Sequence, residues 1–141
     1  MLRGRRIAFD HGDVRIGVAV SDPDSIVCTP LMVLKRSDKN LKSQLVELFV
    51  EIEPVAIYVG RPALLSGKDS TASAKSLEFV EILQGLTSIS IDLIDERLST
   101  VSAARTLREA GRNAKNSKDV IDMAAAVAIL DFAIEIEKRR P

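Results

Sequence analysis

Asp10, Glu96 and Asp122 are the acids whose settings ask for a chemical explanation. Asp10 closes the apolar run Ile7, Ala8 and Phe9, and an ionised carboxylate taken out of water is costly unless something pairs with it. Two readings stand for it: a turn aspartate at a hairpin end, and a ligand to a divalent cation. Glu96 sits in Asp95-Glu96-Arg97, directly after the run Ile89 to Ile94. That is the C-terminal end of a strand, the edge where ligands bind in open α/β sheets. Asp122 lies among Ile121, Met123 and Ala124 to Ala126, in the opening turn of an apolar helix. Compensation of the helix dipole is worth only about 1 kcal/mol, and Asp119 already serves it. Oxygen ligands without a histidine cluster select hard cations, Mg²⁺ or Mn²⁺. Two such ions about 4 Å apart align a water with a phosphodiester and stabilise the leaving oxygen, so the chemistry in view is phosphodiester hydrolysis. His11, the sole histidine, adjoins Asp10; it either assists that chemistry or sits in the turn.

Bringing these acids together requires a particular order of elements. The stretch Arg6 to Asp22 reads as a hairpin, with Ile7 to Phe9 and Ile16 to Val20 as strands around a turn at Gly12 and Asp13. Pro30 to Leu34 reads as a third strand closing a meander. Ser37 or Asp38 supplies an N-cap for a helix carrying Leu41, Leu45, Leu48, Phe49 and Ile52, stopped by Pro54. Val55 to Val59 is nearly all apolar, as a strand buried on both faces should be, and ends at Gly60. Ala72 to Leu86 reads as a helix with Leu77, Val80 and Leu83 inward, and Ile89 to Ile94 as the last strand. A helix from Leu98 to Ala110 ends at Gly111, and a final one starts near Asp119. Its run Met123 to Leu130 is apolar almost all round, and its five alanines allow close approach to a neighbour. The pattern predicts an α/β fold: a mixed five-stranded sheet with helices on both faces, the first strand central beside the one ending at Gly60. Asp10, Glu96 and Asp122 would then line one end of that sheet.

At 141 residues, 46% hydrophobic and 28% charged, the chain is expected to form one domain over 1–141. Its 20 basic and 20 acidic residues cancel, which argues against binding nucleic acid by net charge alone and directs attention to local patches. The densest is Arg105 and Arg108 with Arg112, Lys115 and Lys118, read either as phosphate contacts or as a solvated linker. Arg3, Arg5 and Arg6 leave the same choice, solvated end or phosphate contact. With no Trp and one Tyr, base stacking is disfavoured. The single Cys28 excludes a disulfide within the chain and suits a reducing compartment. No apolar run reaches membrane-spanning length, and Met1-Leu-Arg-Gly-Arg-Arg lacks the apolar segment of a secretory leader, so the expected location is cytoplasmic.

The motifs Asp10-x-Gly12, Arg15-Ile-Gly-Val-Ala-Val-Ser-Asp22, Gly60-x-Pro62, Asp95-Glu96-Arg97-Leu98-Ser99-Thr100 and Asp122-x-x-Ala-Ala126, in that order, resemble the YqgF/RuvX family. The set spans nearly the whole chain. Two positions depart from the family pattern: Arg61-Pro62-Ala63-Leu64-Leu65-Ser66-Gly67 after Gly60, and Ser99-Thr100 where Thr-Thr is usual. The resemblance implies an RNase H-like fold, with Asp10, Glu96 and Asp122 as catalytic, metal-binding acids for Mg²⁺ or Mn²⁺. It implies a nuclease that matures the 5′ end of pre-16S rRNA or resolves Holliday junctions in branched DNA, possible partners including ribosomal particles. Arg15, Arg61, Arg97, Arg105, Arg108, Arg112, Lys115 and Lys118 are the expected nucleic-acid contacts. A non-catalytic ribosome-associated RNA-binding module is the alternative, and a phosphate-binding relative of the sugar-kinase and actin ATPases a further one, although those close two such domains around a nucleotide. Monomer and homodimer both remain open.

Overall fold

The computed structural model describes residues 2–12, 14–61, 71–95 and 117–140, the side chains of 71–73 and 117–122 excepted. Five strands, β1 (Arg6–His11), β2 (Arg15–Ser21), β3 (Cys28–Lys35), β4 (Ala56–Arg61) and β5 (Ile91–Asp95), make one sheet in the order β3-β2-β1-β4-β5. The first three form an antiparallel meander, and β4 and β5 run parallel to β1. This is the mixed sheet expected, with β1 at its centre. Three described helices cover it: α1 (Leu41–Ile52), α2 (Thr71–Gln84) and α3 (Ser117–Arg139). The expected helix Leu98 to Ala110, with its Gly111 cap, lies outside the described residues.

The twofold alternation of a strand divides the core in two. Ile7 and Phe9 of β1 pack with Leu45, Leu48 and Phe49 of α1 and with Phe79 and Leu83 of α2. Phe9 meets the rings of Phe49 and Phe79 edge-on, at centroid distances of 6.4 and 5.3 Å, geometry worth about 0.5–1.5 kcal/mol per pair beyond the area buried. Between them, Ala8 faces the other way, onto α3. There Ala8, Ala19 and Ala56 meet Ala125, Ala126, Ile129, Leu130 and Ala133, small residues on both sides that let helix and sheet come close.

Four local expectations are corrected by the structure. α1 begins after Asn40, whose side chain makes no capping bond; Asp38 instead accepts the Asn40 N–H at 2.8 Å and builds the preceding turn. On α2 the inward residues are Ser76, Phe79 and Leu83, while Leu77 is 41% exposed. One residue is 100° of helix, so the face that seats the Phe79 ring turns Leu77 away. β3 is longer than expected, and a bulge opposite Val18 and Ala19 falls beside Pro30, the two devices by which an edge strand avoids pairing with other chains. Arg6 is neither solvated nor available to phosphate: it is 1% exposed. Its guanidinium donates to Glu137 Oε2 at 2.5 Å, to the carbonyls of Leu2 and Gly4 at 2.6 and 2.7 Å, and to Ser25 Oγ at 3.0 Å. The loop from β2 to β3 is ordered by Asp22, whose carboxylate accepts the N–H groups of Val27, Ile26 and Asp24. Those bonds, Val27's foremost, hold its carboxyl below the usual range.

Two further groups on the α3 side are set against ionising. Burial, with Asp131 beside it, pushes the Cys28 thiol from its ordinary 9.0 up to about 12. Burial, with the Glu137 carboxylate as acceptor, raises Tyr58 as well. Both folded values lie above those of the unfolded chain, so unfolding releases protons as pH passes 9, and stability falls from there upward. The urea midpoint is expected to decline between pH 9 and 11. In a Cys28→Ala, Tyr58→Phe double variant that decline should flatten; an unchanged slope would assign it to other groups.

Candidate functional site

The three parallel strands β1, β4 and β5 end together, at His11, Arg61 and Asp95. Asp10, 4% exposed, stands one residue before that edge. By alternation it shares the α3 face with Arg6 and Ala8, and its partner across β2 is Gly17. Gly17, its register partner, brings no side chain against it. The hairpin that returns the chain is tight: the Gly12 N–H donates to the Arg15 carbonyl at 2.9 Å, and a Cβ on Gly12 would lie 2.9 Å from that same oxygen. Glycine is what lets the two backbones meet there.

His11 is a strand residue, neither in the turn nor on the side of Asp10. It faces α1 and α2, and its ring stacks on Phe79 at 4.8 Å and 21°. Asp95 likewise follows Ile91 and Leu93, which pack toward α1 and α2, whereas Ile94 packs toward α3. Asp95 therefore occupies the face opposite Asp10, with Arg61 as its register partner on β4. Arg15 opens β2 two residues before Gly17, on the face of Asp10, opposite Lys35 of β3.

Asp122 lies in the early turns of α3, one turn ahead of Ala126, which is fully buried against the sheet. The Arg6 to Glu137 pair ties the last turns of α3 to the N-terminal end of β1, so the first turns lie away from that end. Glu96, Arg97, Arg105, Arg108, Arg112 and Lys115 lie outside the described residues, as does the side chain of Lys118.

One group of cations escaped the sequence reading: Lys35, Arg36, Lys39 and Lys42 form the exit from β3 and the entry to α1. Their signal was the spacing Lys35-Arg36-x-x-Lys39-x-x-Lys42, diluted by the intervening Asp38. Behind Arg36 lies a cavity of about 400 Å³ reached by His11 and Phe79.

A five-stranded sheet in this order, with a buried carboxylate on its central strand, is an RNase H-like fold. Over 96% of both chains it superposes on the RuvC in "T. thermophilus RuvC in complex with Holliday junction substrate", with a TM-score of 0.56 at 13% identity. A free Thermus thermophilus RuvC structure gives 0.52 over 95% of this chain. The family model described as "RuvX: Holliday junction resolvase" matches residues 4–135, and the chain belongs to that family. Among its relatives, a Streptomyces coelicolor protein is 43% identical over 98% of this chain and 84% of its own. One from Mycobacterium ulcerans is 48% identical over 91% and 76%. Both carry the name "Putative pre-16S rRNA nuclease".

Proposed function

We propose that the chain is a divalent-metal-dependent endonuclease that trims the 5′ end of pre-16S rRNA in the cytoplasm, acting on the precursor or on the ribosomal particle that carries it. The observation that supports this most is Asp10, a buried carboxylate near the C-terminal edge of the central strand, in a family whose relatives are named for that RNA. Asp10, Glu96 and Asp122 would hold the metal. Their chemistry fits: with the one histidine turned to the opposite face, the donor set is all oxygen, which suits Mg²⁺ or Mn²⁺. A bound pair of such ions would supply charge at the attacking and leaving oxygens. The chain's own residues do the rest. Asp95 lies on the face opposite Asp10, so Glu96 rather than Asp95 is the acid assigned to join it. Arg15 on the face of Asp10 and Arg61 on the opposite face of the same strand edge, with Arg97, Arg105, Arg108, Arg112, Lys115 and Lys118, would hold phosphates of the bound strand, fixing it without reading its bases.

Branched DNA is the second reading, favoured by the family description and the RuvC fold. Symmetric cutting of two strands would call for a homodimer, single-strand trimming for a monomer. The deciding experiment is Mn²⁺-dependent cleavage of a labelled pre-16S 5′-leader RNA and a four-way DNA junction in parallel, with Asp122→Asn as control. Metal-dependent cutting of the RNA, lost in the variant, is the expected result, and preference for the junction would move the assignment to resolvase. Tight binding of both without cutting would favour a non-catalytic RNA-binding module. Affinity should also fall steeply with salt, since each phosphate contact adds about one unit to the log–log slope.

A further inference from the structure

Asp10 and His11 are neighbours on β1 that serve opposite faces of the sheet, and the cations at this edge follow the same division. Arg15 and Lys35, register partners on β2 and β3, lie on the side of Asp10. Arg36, the next residue, lines the cavity on the other side, where its guanidinium meets Glu78 at 3.3 Å, and Lys39 is exposed a turn further on. Positive charge therefore passes over the lip of the sheet from the candidate catalytic face to the mouth of the cavity.

The cavity itself is suited to a flat ring. Its volume of about 400 Å³ lies within the span of small-ligand pockets, about 300–1,000 Å³. Leu41 and Ile82 supply apolar wall, the His11 ring, backed by the buried Phe79, an aromatic one, and Ser37 a polar group at the mouth. A second depression, sharing Ile82 and lined by Lys42, Glu78 and Glu81, carries two acids to one cation and is the less favourable side for a phosphate. An anionic backbone is thus held at the lip while an uncharged ring is admitted behind it.

We propose that this cavity takes the base of a nucleotide close to the cleaved phosphate, unstacked from its neighbours and turned over the sheet edge, with Lys35, Arg36 and Lys39 holding the phosphates that flank it. The proposal rests on the nuclease reading and adds to it a site for one base in a protein otherwise poor in aromatic residues. Base-on-aromatic stacking is sequence-tolerant and costs about tenfold in affinity or more when removed, so the pocket selects an unpaired nucleotide without selecting its identity.

The test is binding, measured with the Asp10→Asn protein so that nothing is cut. The probes are short pre-16S leader RNAs, each with a single abasic position. One position near the cleavage site should weaken binding about tenfold, the others little. Ser37→Trp, an exposed residue replaced so as to fill the cavity, should bind the intact RNA about tenfold more weakly and lose no more at the sensitive position. Such non-additivity is the mark of a shared contact. Uniform abasic profiles, or the same position-specific loss in Ser37→Trp, would overturn the proposal. A nucleoside monophosphate is the second arm: displacement from the cavity by the RNA, followed by the Ser37 amide resonance, supports a strand-borne base. A mononucleotide that RNA cannot displace makes the site one for free nucleotides and overturns the assignment. Cleavage by the wild-type protein with uniform abasic profiles defeats only the pocket; a position-specific profile without cleavage defeats only the nuclease.

Discussion

Asp10→Asn is expected to reduce Mn²⁺-dependent cleavage at least about a hundredfold, the order lost when a group stabilising transition-state charge is removed, while leaving the protein folded. The change keeps the size of the side chain and removes its charge, so metal affinity falls with it. Stability should hold to within about 1 kcal/mol, since the amide keeps the size of the side chain and one acceptor oxygen. That combination, activity lost with the urea midpoint kept, separates a catalytic acid from a structural one. Glu96→Gln and Asp122→Asn are expected to behave alike in the cleavage assay. Retention of wild-type cutting by any one of them removes that residue from the mechanism.

Glu137→Ala is expected to have the largest effect on stability. It leaves the Arg6 guanidinium, 1% exposed, without its carboxylate, and removing one partner of a buried pair costs about 3–5 kcal/mol. Here Leu2, Gly4 and Ser25 still accept hydrogen bonds from Arg6, and Glu137 itself is 20% exposed, so about 2–3 kcal/mol is the appropriate size. Urea unfolding measures it. A loss under about 0.5 kcal/mol, typical of an exposed pair, would show that the carbonyls and the serine suffice to hold Arg6. Replacing both members by apolar residues of similar volume should recover much of the loss, as such swaps commonly do.

Strand order was legible because it follows from run length and apolar content: three short runs before any helix, then β4 apolar nearly throughout. Legibility failed where a single residue's direction mattered. Neither reading of His11, assistance to Asp10 or a place in the turn, allows for adjacency within a strand, which puts side chains on opposite faces. Of the three residues expected on the inner face of α2, Leu83 is buried and Val80 partly so, but Leu77 is turned out, because the ring of Phe79, seated between Phe9 and His11, sets the rotation of the helix. Arg6 was grouped with Arg3 and Arg5 as a charged end, and nothing local announces that its partner is 131 residues away. For the candidate site, Asp10 and the strand edge could be anticipated from pattern alone. The cations from Lys35 to Lys42 could not, since only the fold shows that β3 ends beside β1's far end.

The Arg6 to Glu137 pair also bears on the order in which this protein is made. The face of the sheet carrying Ala8, Ala19, Ala56 and Tyr58 is covered by residues of α3, synthesised after every strand. Until that helix emerges, a nascent chain displays an apolar surface of the kind that draws chaperones, and the sheet stays half-covered. Asp122 arrives on the same helix. The candidate cutting centre would therefore assemble only once α3 has been made and has packed on the sheet.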